Sequence, residues 1–159
     1  MIKMEELDNQ EQPMILFADD DASMRIIFEE TLKGYGYQVA CFEDGKSLLE
    51  NYQDYEFDMI ILDIDMPGLN GIDVCSTIRK TGNADATPIV ILTVLDDFES
   101  IESAYQSGAT DFISKPLNWP LLGHRIRYIL RTHAITKELI EKEREVHQLA
   151  FYDPVTQLP

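Results

Sequence analysis

Acidic residues in this chain follow two short apolar runs. Asp19, Asp20 and Asp21 come directly after MILFA, and Asp63 ends the run DMIILD with Asp65 two residues later. Carboxylates that converge in a cleft repel one another and resist ionisation unless a cation compensates them. Mg²⁺ favours oxygen ligands from a few carboxylates, and a carboxylate beside it can attack phosphorus to give an aspartyl phosphate. The residue types are therefore those of a Mg²⁺-dependent aspartyl phosphorylation site.

Two further apolar runs end on polar residues that suit the same chemistry. Thr93 follows PIVIL, and Lys115 follows TDFIS. A Thr hydroxyl and a Lys ammonium on neighbouring strand ends would contact the oxygens of a phosphoryl group. Ordinary structural roles also exist: Asp21 is expected to cap the next helix, and Asp65 could begin the turn before Pro67. Such roles explain each residue alone but not their shared position at the ends of runs.

The elements that must position these residues are read from hydrophobic periodicity. Helical spacing between the apolar runs predicts helices over 22–33, 70–80 and 97–107. The apolar runs predict buried parallel strands over 14–18, 37–42, 58–63, 88–93 and 110–114. Alternating strands and helices imply an α/β fold with a doubly wound five-stranded parallel sheet. Ligands bind beyond the carboxyl ends of such strands, so the polar residues above should meet at one edge.

The chain changes character after Pro116. From 118 to about 151 the sequence lacks proline beyond Pro120, which predicts one extended C-terminal helix of roughly 33 residues. Its second part has an alternating four-and-three spacing that predicts coiled-coil pairing, with a solvated or frayed helix as the alternative. The positions of this seam are Ile135, Leu139, Lys142, Val146 and Leu149.

Composition limits the partners of the chain. Thirteen Lys and Arg against 29 Asp and Glu leave a formal charge of −16, which argues against binding to nucleic acid. Cys41 and Cys75 form no CxxC motif, so a reducing cytoplasm is the expected setting. The first residues, 1–13, are a polar extension, and no segment has the roughly 18 apolar residues of a membrane span. We expect a cytoplasmic protein that binds neither nucleic acid nor membrane.

Four ordered motifs resemble the receiver domain of two-component response regulators, the CheY-like, flavodoxin-like fold. The acidic pair Asp19 and Asp20 follows ILFA, and the pattern D-x-x-M-P-x-x-x-G runs from Asp63 to Gly71. Thr93 follows PIVIL, and Lys115-Pro116 follows SGATDFIS. The resemblance covers roughly residues 14–131.

The resemblance implies a role for each matching residue. Asp63 would accept a phosphoryl group from a phosphohistidine on a sensor histidine kinase or a histidine phosphotransfer protein. Mg²⁺, or Mn²⁺, would be held by Asp63 and the residues Asp19, Asp20 and, through its backbone carbonyl, Asp65. The remaining implied features are phosphoryl contacts from Thr93 and Lys115, a conformational switch of Thr93 and Phe112, a cis Lys115-Pro116 bond, and a homodimer in the phosphorylated state.

Three positions bear on how long a phosphoryl group would stay on Asp63. Val94 stands where a small residue commonly follows the switch threonine, and its bulk would restrict access to Asp63. Asp65 and Leu95 occupy positions on which the rate of dephosphorylation depends in the family. We hypothesise that Val94 and Leu95 screen water and lengthen the lifetime of the phosphoryl group.

The last residues, LAFYDPVTQLP, resemble the opening of a GGDEF domain, the diguanylate cyclase fold. Asp153, Thr156, Leu158 and Pro159 match its usual D-x-L-T-G-L-P pattern, whereas Val155 and Gln157 depart from it. The expected organisation is a receiver over 14–131, a coiled-coil-like signalling helix over 132–151 that continues the last receiver helix, and the start of a truncated GGDEF-type output domain over 152–159. Phosphorylation would control this cyclase through dimerisation or the C-terminal helix. The receiver itself would be a phosphoacceptor and not an enzyme with turnover.

Two other functions use the same residues. A phosphatase of the haloacid dehalogenase kind also forms an aspartyl phosphate, and Asp63 and Asp65 fit the first half of its D-x-D-x-T motif. Met66 and Pro67 fit that motif poorly, and the motif normally ends the first strand of its fold. The other alternative is a receiver-shaped interaction module that is never phosphorylated.

Overall fold

The computed structural model describes residues 12–82, 86–94 and 98–152, with backbone alone for parts of the C-terminal helix. Five strands alternate with helices along the chain. The strands are β1 (Met14–Ala18), β2 (Gln38–Phe42), β3 (Met59–Asp63), β4 (Ile89–Thr93) and β5 (Asp111–Ser114). The helices are α1 (Ala22–Gly34), α2 (Gly45–Asn51), α3 (Gly71–Thr81), α4 (Phe98–Gln106) and α5 (Trp119–Tyr152), with a 3₁₀ turn at Tyr52–Asp54.

All strand pairs are parallel, in the order β2-β1-β3-β4-β5. Every residue of β3 and β4 is buried, because helices cover both faces of the sheet. On one face Phe28 of α1 and Ile126 of α5 pack together with the sheet, and on the other Leu48, Val74 and Ala104 bring in α2, α3 and α4. The predicted doubly wound five-stranded α/β fold is confirmed.

The strand predictions are accurate at the carboxyl ends, where the candidate site lies. Strand β1 has the predicted bounds, and the other four strands begin one residue later than predicted and end at the predicted residue. Helices α1, α3 and α4 agree with their predicted ranges within one residue at each end. No pattern predicted α2, a seven-residue helix whose start is capped by the side chain of Asp44.

The long C-terminal helix is present as α5, with 34 residues and a length of about 51 Å. Its first part buries Leu122, Ile126 and Ile129 in the core, whereas Ile135 and Leu139 are exposed. Of the predicted seam, the side chains of Val146 and Leu149 lie outside the described part, as do residues 153–159 with the predicted GGDEF matches. Among the helices that the structure describes, none is both long and apolar enough to cross a membrane.

Candidate functional site

Four strands deliver polar side chains to one edge of the sheet. Asp19 follows β1, Asp63 ends β3, Thr93 ends β4 and Lys115 follows β5. The register places Asp63 beside Leu92 of β4 and Thr93 beside Ser114 of β5. Asp19, Asp63 and Thr93 are also the buried polar residues of the described chain, each at most 4% exposed. The structure therefore brings together residues that are far apart in the sequence.

The carboxylates of Asp19, Asp20 and Asp63 form an acidic cluster. One oxygen of each lies within 4.8 Å of the others, with Asp20 exposed and the other two buried. Asp19 Oδ1 accepts a hydrogen bond of 2.9 Å from the N–H of Asp21, whereas Asp19 Oδ2 is buried without a hydrogen-bond partner. Burial raises the pKa of Asp19 to about 6, and the nearby charge of Asp63 adds to the rise although the Asp21 N–H opposes it. An unpartnered buried oxygen among three carboxylates fits a divalent cation such as Mg²⁺.

Lys115 supplies the positive charge of the cluster. Its Nζ donates a hydrogen bond of 2.8 Å to Asp63 Oδ1 and lies 3.9 Å from Asp19 Oδ2, which is too far for a hydrogen bond. The Lys115-Pro116 peptide bond is cis, and the N–H of Lys115 bonds to the carbonyl of Thr93. The ammonium group thus lies between two buried carboxylates, where it offsets part of their repulsion.

The loop after β3 returns close to the backbone of Asp63. A Cβ atom at Gly71 would lie 2.6 Å from the carbonyl oxygen of Asp63, so any other residue would push α3 away from the strand end. Asp65 is exposed, and its N–H lies 3.4 Å from Asp63 Oδ1. Two roles of Asp65 stay predictions: that its backbone carbonyl binds the metal, and that its side chain affects the lifetime of the phosphoryl group.

Phe112 is partly buried on β5 and is enclosed by residues that the sequence did not single out. Its ring contacts the ring of Tyr105 edge to face, at 5.7 Å between centroids. Its N–H donates to Asp111 Oδ1 at 2.8 Å, and its carbonyl accepts from Arg125 Nη2 at 3.3 Å. Arg125 also pairs with Asp111 at 2.5 Å. These contacts join α4, β5 and α5 around the predicted switch residue.

Of the two positions after Thr93, the structure describes only the first. Val94 is 70% exposed next to the buried Thr93. Leu95 lies outside the described residues. The predicted screening of Asp63 by these two side chains stays a hypothesis.

The start of α1 separates the roles of neighbouring acids. Asp21 accepts hydrogen bonds from the N–H groups of Ser23 and Met24, so its predicted N-cap role is confirmed. Arg25, which no sequence signal indicated, donates a hydrogen bond of 2.6 Å to the carbonyl of Asp19. This hydrogen bond ties the loop that carries Asp19 to helix α1.

Comparisons with known proteins agree with this geometry. Residues 15–127 match the family model of the response regulator receiver domain. The chain is 35% identical over 119 residues to the transcriptional regulatory protein AfsQ1 of Streptomyces coelicolor, covering 75% of this chain and 52% of that protein. It is 38% identical over 117 residues to the DNA-binding response regulator MtrA of Mycobacterium tuberculosis, covering 74% and 50%. The chain spans about half the length of the curated relatives it matches.

Solved structures give the same result. The Vibrio cholerae chemotaxis protein CheY4 is 30% identical with a TM-score of 0.71, over 74% of this chain and 98% of that one. A putative response regulator from Chloroflexus aurantiacus is 28% identical with a TM-score of 0.72, over 76% and 99%. Receiver domains are signalling domains that bind Mg²⁺ at clustered acidic residues and are phosphorylated by histidine kinases. The match favours this class over a dehalogenase-type phosphatase, and the chain belongs to the response regulator receiver domain family.

Proposed function

We propose that Asp63 is the phosphoacceptor of a cytoplasmic phosphorelay. The observation that carries the proposal is the position of its carboxylate, which is buried, 2.8 Å from Lys115 Nζ and within 4.8 Å of Asp19 and Asp20. The donor would be a phosphohistidine on a sensor histidine kinase or a histidine phosphotransfer protein.

In the proposed reaction a carboxylate oxygen of Asp63 attacks phosphorus while the P–N bond to the donor imidazole breaks. The electron pair of that bond stays on the imidazole nitrogen, and an acyl phosphate forms on Asp63. Lys115 and Thr93 would contact the phosphoryl oxygens. Asp63, Asp19, Asp20 and the carbonyl of Asp65 would hold Mg²⁺ or Mn²⁺, which when bound supplies charge compensation for the phosphoryl oxygens.

The test is incubation with acetyl phosphate and Mg²⁺, read by intact mass. We expect one hydroxylamine-labile phosphoryl group per chain, which Asp63→Asn abolishes and the matched variant Asp65→Asn retains. Absence of labelling would leave an interaction module that is never phosphorylated. Steady turnover of p-nitrophenyl phosphate would instead support the phosphatase.

Phosphorylation would be relayed through Thr93 and Phe112 to the surface formed by α4 and β5, and would promote a homodimer. Two observations support this route: Phe112 contacts Tyr105 of α4, and Phe98 on the same helix is 75% exposed. Sedimentation with and without the phosphoryl mimic beryllofluoride tests it. An unchanged oligomeric state would contradict the phosphorylation-dependent dimer.

We further propose that the regulated output is a diguanylate cyclase. The support is the resemblance of FYDPVTQLP to the opening of a GGDEF domain, at the end of a long helix. MtrA is named as DNA-binding, but half of that protein lies outside the match. The test is to sequence the gene beyond the codon for Pro159 and to assay the encoded protein for cyclic di-GMP formation from GTP. A DNA-binding region in that place would overturn this output.

The lifetime of the phosphoryl group is proposed to depend on Val94, Leu95 and Asp65. Val94 supports this through its position directly after Thr93, where its exposed side chain can shield the entrance to Asp63. We expect Val94→Ala and Leu95→Glu to shorten the half-life of phosphorylated Asp63. An unchanged half-life in both variants would refute the screening hypothesis.

A further inference from the structure

A pocket of about 290 Å³ opens at the end of the sheet opposite the acidic cluster. It is lined by Tyr52, Gln53, Tyr55 and Phe57, which lie in the 3₁₀ turn after α2 and in the loop that leads into β3. Asp63 is at the other end of β3, about 20 Å from Phe57 along an extended chain. The volume is close to the lower end of the range for small-molecule sites. The pocket is therefore remote from the phosphoacceptor and has the size of a site for a small ligand.

Three of the four lining residues are aromatic, and other side chains hold their rings in place. The rings of Tyr52 and Phe57 lie 6.0 Å apart between centroids and are tilted by 59°, so they form two adjoining walls. The ring of Tyr55 packs edge to face on the buried Phe42, with 5.9 Å between centroids. Because these contacts position the rings before any ligand binds, the aromatic surface is preorganised.

The hydroxyl group of Tyr52 is already bonded within the protein. Thr81 Oγ1 donates to the carbonyl of Ile78 at 2.7 Å, so the Tyr52 hydroxyl donates its own proton to Thr81 Oγ1 at 3.2 Å. Gln53 Nε2 donates to the same Tyr52 oxygen, also at 3.2 Å. A ligand with N–H donors would compete with these bonds for the hydroxyl oxygen. A cation without N–H groups needs only the faces of the rings.

The residues that alternate with the lining residues are acidic. Asp54 and Glu56 are exposed within the stretch 53–57, and no lysine or arginine occurs in the sequence from 47 to 78. Carboxylates around a cleft raise the local concentration of cations and lower that of anions. The charge beside the pocket thus complements a positively charged ligand.

We propose that this pocket binds a small organic cation with a methylated ammonium group, of the choline type. Aromatic rings around such a group attract it through their quadrupoles, and the exposed carboxylates of Asp54 and Glu56 add to the attraction. Its methyl groups cover apolar surface, and its charge is carried without N–H donors that would need acceptors. The site is a second ligand site on the receiver, independent of phosphorylation at Asp63.

The first experiment tests the charge of the ligand. The full chain is titrated with choline and with its neutral carbon isostere, in which a tert-butyl group replaces the trimethylammonium group, and the aromatic proton signals are followed by NMR. We expect choline to bind about five- to thirtyfold more tightly, because the isostere lacks the charge that the ring faces attract. Equal affinity for the two compounds would overturn the assignment to a cation.

The second experiment tests the residues of the pocket. Phe57→Leu should raise the Kd for choline about five- to tenfold, because it removes a ring face and keeps an apolar side chain. Substituting both Asp54→Asn and Glu56→Gln should raise the Kd about two- to fivefold at low salt, and this difference should shrink at high salt. The matched control Tyr128→Leu removes a 68% exposed ring on α5 and should leave the Kd within twofold.

Circular dichroism of each variant verifies that the fold is intact. A Kd for choline that Phe57→Leu leaves unchanged would overturn the inference, as would an equal rise in Tyr128→Leu. Nuclear Overhauser contacts in the absence of choline, between the Tyr55 or Phe57 ring and methionine methyl groups of residues 1–11, would assign the pocket to the chain's own N-terminal segment and also overturn it.

Discussion

The carboxyl edge of the sheet and the exposed part of α5 reverse the usual distribution of side chains in opposite ways. At the sheet edge, carboxylates of Asp19 and Asp63 are buried. On α5, Ile135 and Leu139 are exposed to water. Buried charges require a compensating charge, and a line of exposed apolar groups requires a covering surface. Under the proposed function, the sheet edge would be completed by a cation and a phosphoryl group, and the exposed side of α5 by another protein chain.

The two regions also differ in what fixes them. Strands β1 and β3 hold the acidic cluster, and β5 leads into Lys115, whose Nζ lies 2.8 Å from Asp63 Oδ1. The exposed side chains of α5 are arranged by one helix alone. We expect changes at the sheet edge to alter chemistry and folding stability, and changes at the exposed Ile135 and Leu139 of α5 to alter association with little effect on either.

The largest expected effect comes from removing the ammonium group of Lys115. Lys115→Ala should slow labelling of Asp63 by acetyl phosphate by about 10²–10³-fold at saturating Mg²⁺, because one preorganised contact to the phosphoryl oxygens is lost. Initial rates from intact mass measure it. The control Lys46→Ala removes an 80% exposed lysine and should leave the rate within twofold; an equal loss in both variants would contradict the assigned role.

Two alanine substitutions on α5 compare a buried side chain with an exposed one on the same helix. Ile126→Ala should lower the free energy of unfolding by about 2–5 kcal/mol, because it leaves a cavity in the core. Leu139→Ala should change it by less than about 0.5 kcal/mol at concentrations where the chain is monomeric. Urea denaturation measures both. Similar losses from the two variants would show that the distal helix packs on the receiver.

Removing the buried charge of Asp19 should stabilise the protein when Mg²⁺ is absent. Its pKa of about 6 exceeds the ordinary value of 3.8, so the folded chain binds more protons than the unfolded chain between these values. Native protein without Mg²⁺ therefore gains stability as the pH falls through that window. Asp19→Asn should be more stable by about 2 kcal/mol above pH 7, and this advantage should shrink towards pH 4.

Thermal unfolding at several pH values measures this difference in stability. Added Mg²⁺ should make the unsubstituted protein the more stable of the two, because Asp19→Asn removes a ligand of the ion. Glu56→Gln, which removes an exposed carboxylate, is the control and should show neither trend. An advantage of Asp19→Asn that persists unchanged at pH 4 would contradict the cost assigned to the buried charge.

The smallest expected effect comes from Asp21, which caps α1, whereas its neighbours Asp19 and Asp20 are the predicted metal ligands. Asp21→Ala should lower the free energy of unfolding by about 1 kcal/mol through loss of the α1 cap. The affinity for Mg²⁺, measured by calorimetric titration, should stay within twofold of the native value. A tenfold loss of affinity would instead make Asp21 part of the metal site.

The sequence predicts best those features that depend on one strand or one helix. The carboxyl end of each strand follows from its apolar run, and the meeting of Asp19, Asp63, Thr93 and Lys115 follows from the parallel topology. Helix α2 was missed because its seven residues are too few for a helical repeat. The contacts of Arg25 with Asp19, and of Arg125 with Phe112, depend on side-chain positions set by packing between separate elements, which no local pattern encodes.

The side-chain bonds around Phe112 have a consequence for the solubility of the protein. Strand β5 forms one border of the sheet, and such borders can recruit strands from other molecules and seed aggregation. At Phe112 the N–H group is occupied by the carboxylate of Asp111 and the carbonyl by the guanidinium of Arg125. An incoming strand would have to displace both charged groups, so the salt bridge that surrounds Phe112 also protects the border of the sheet against unwanted extension.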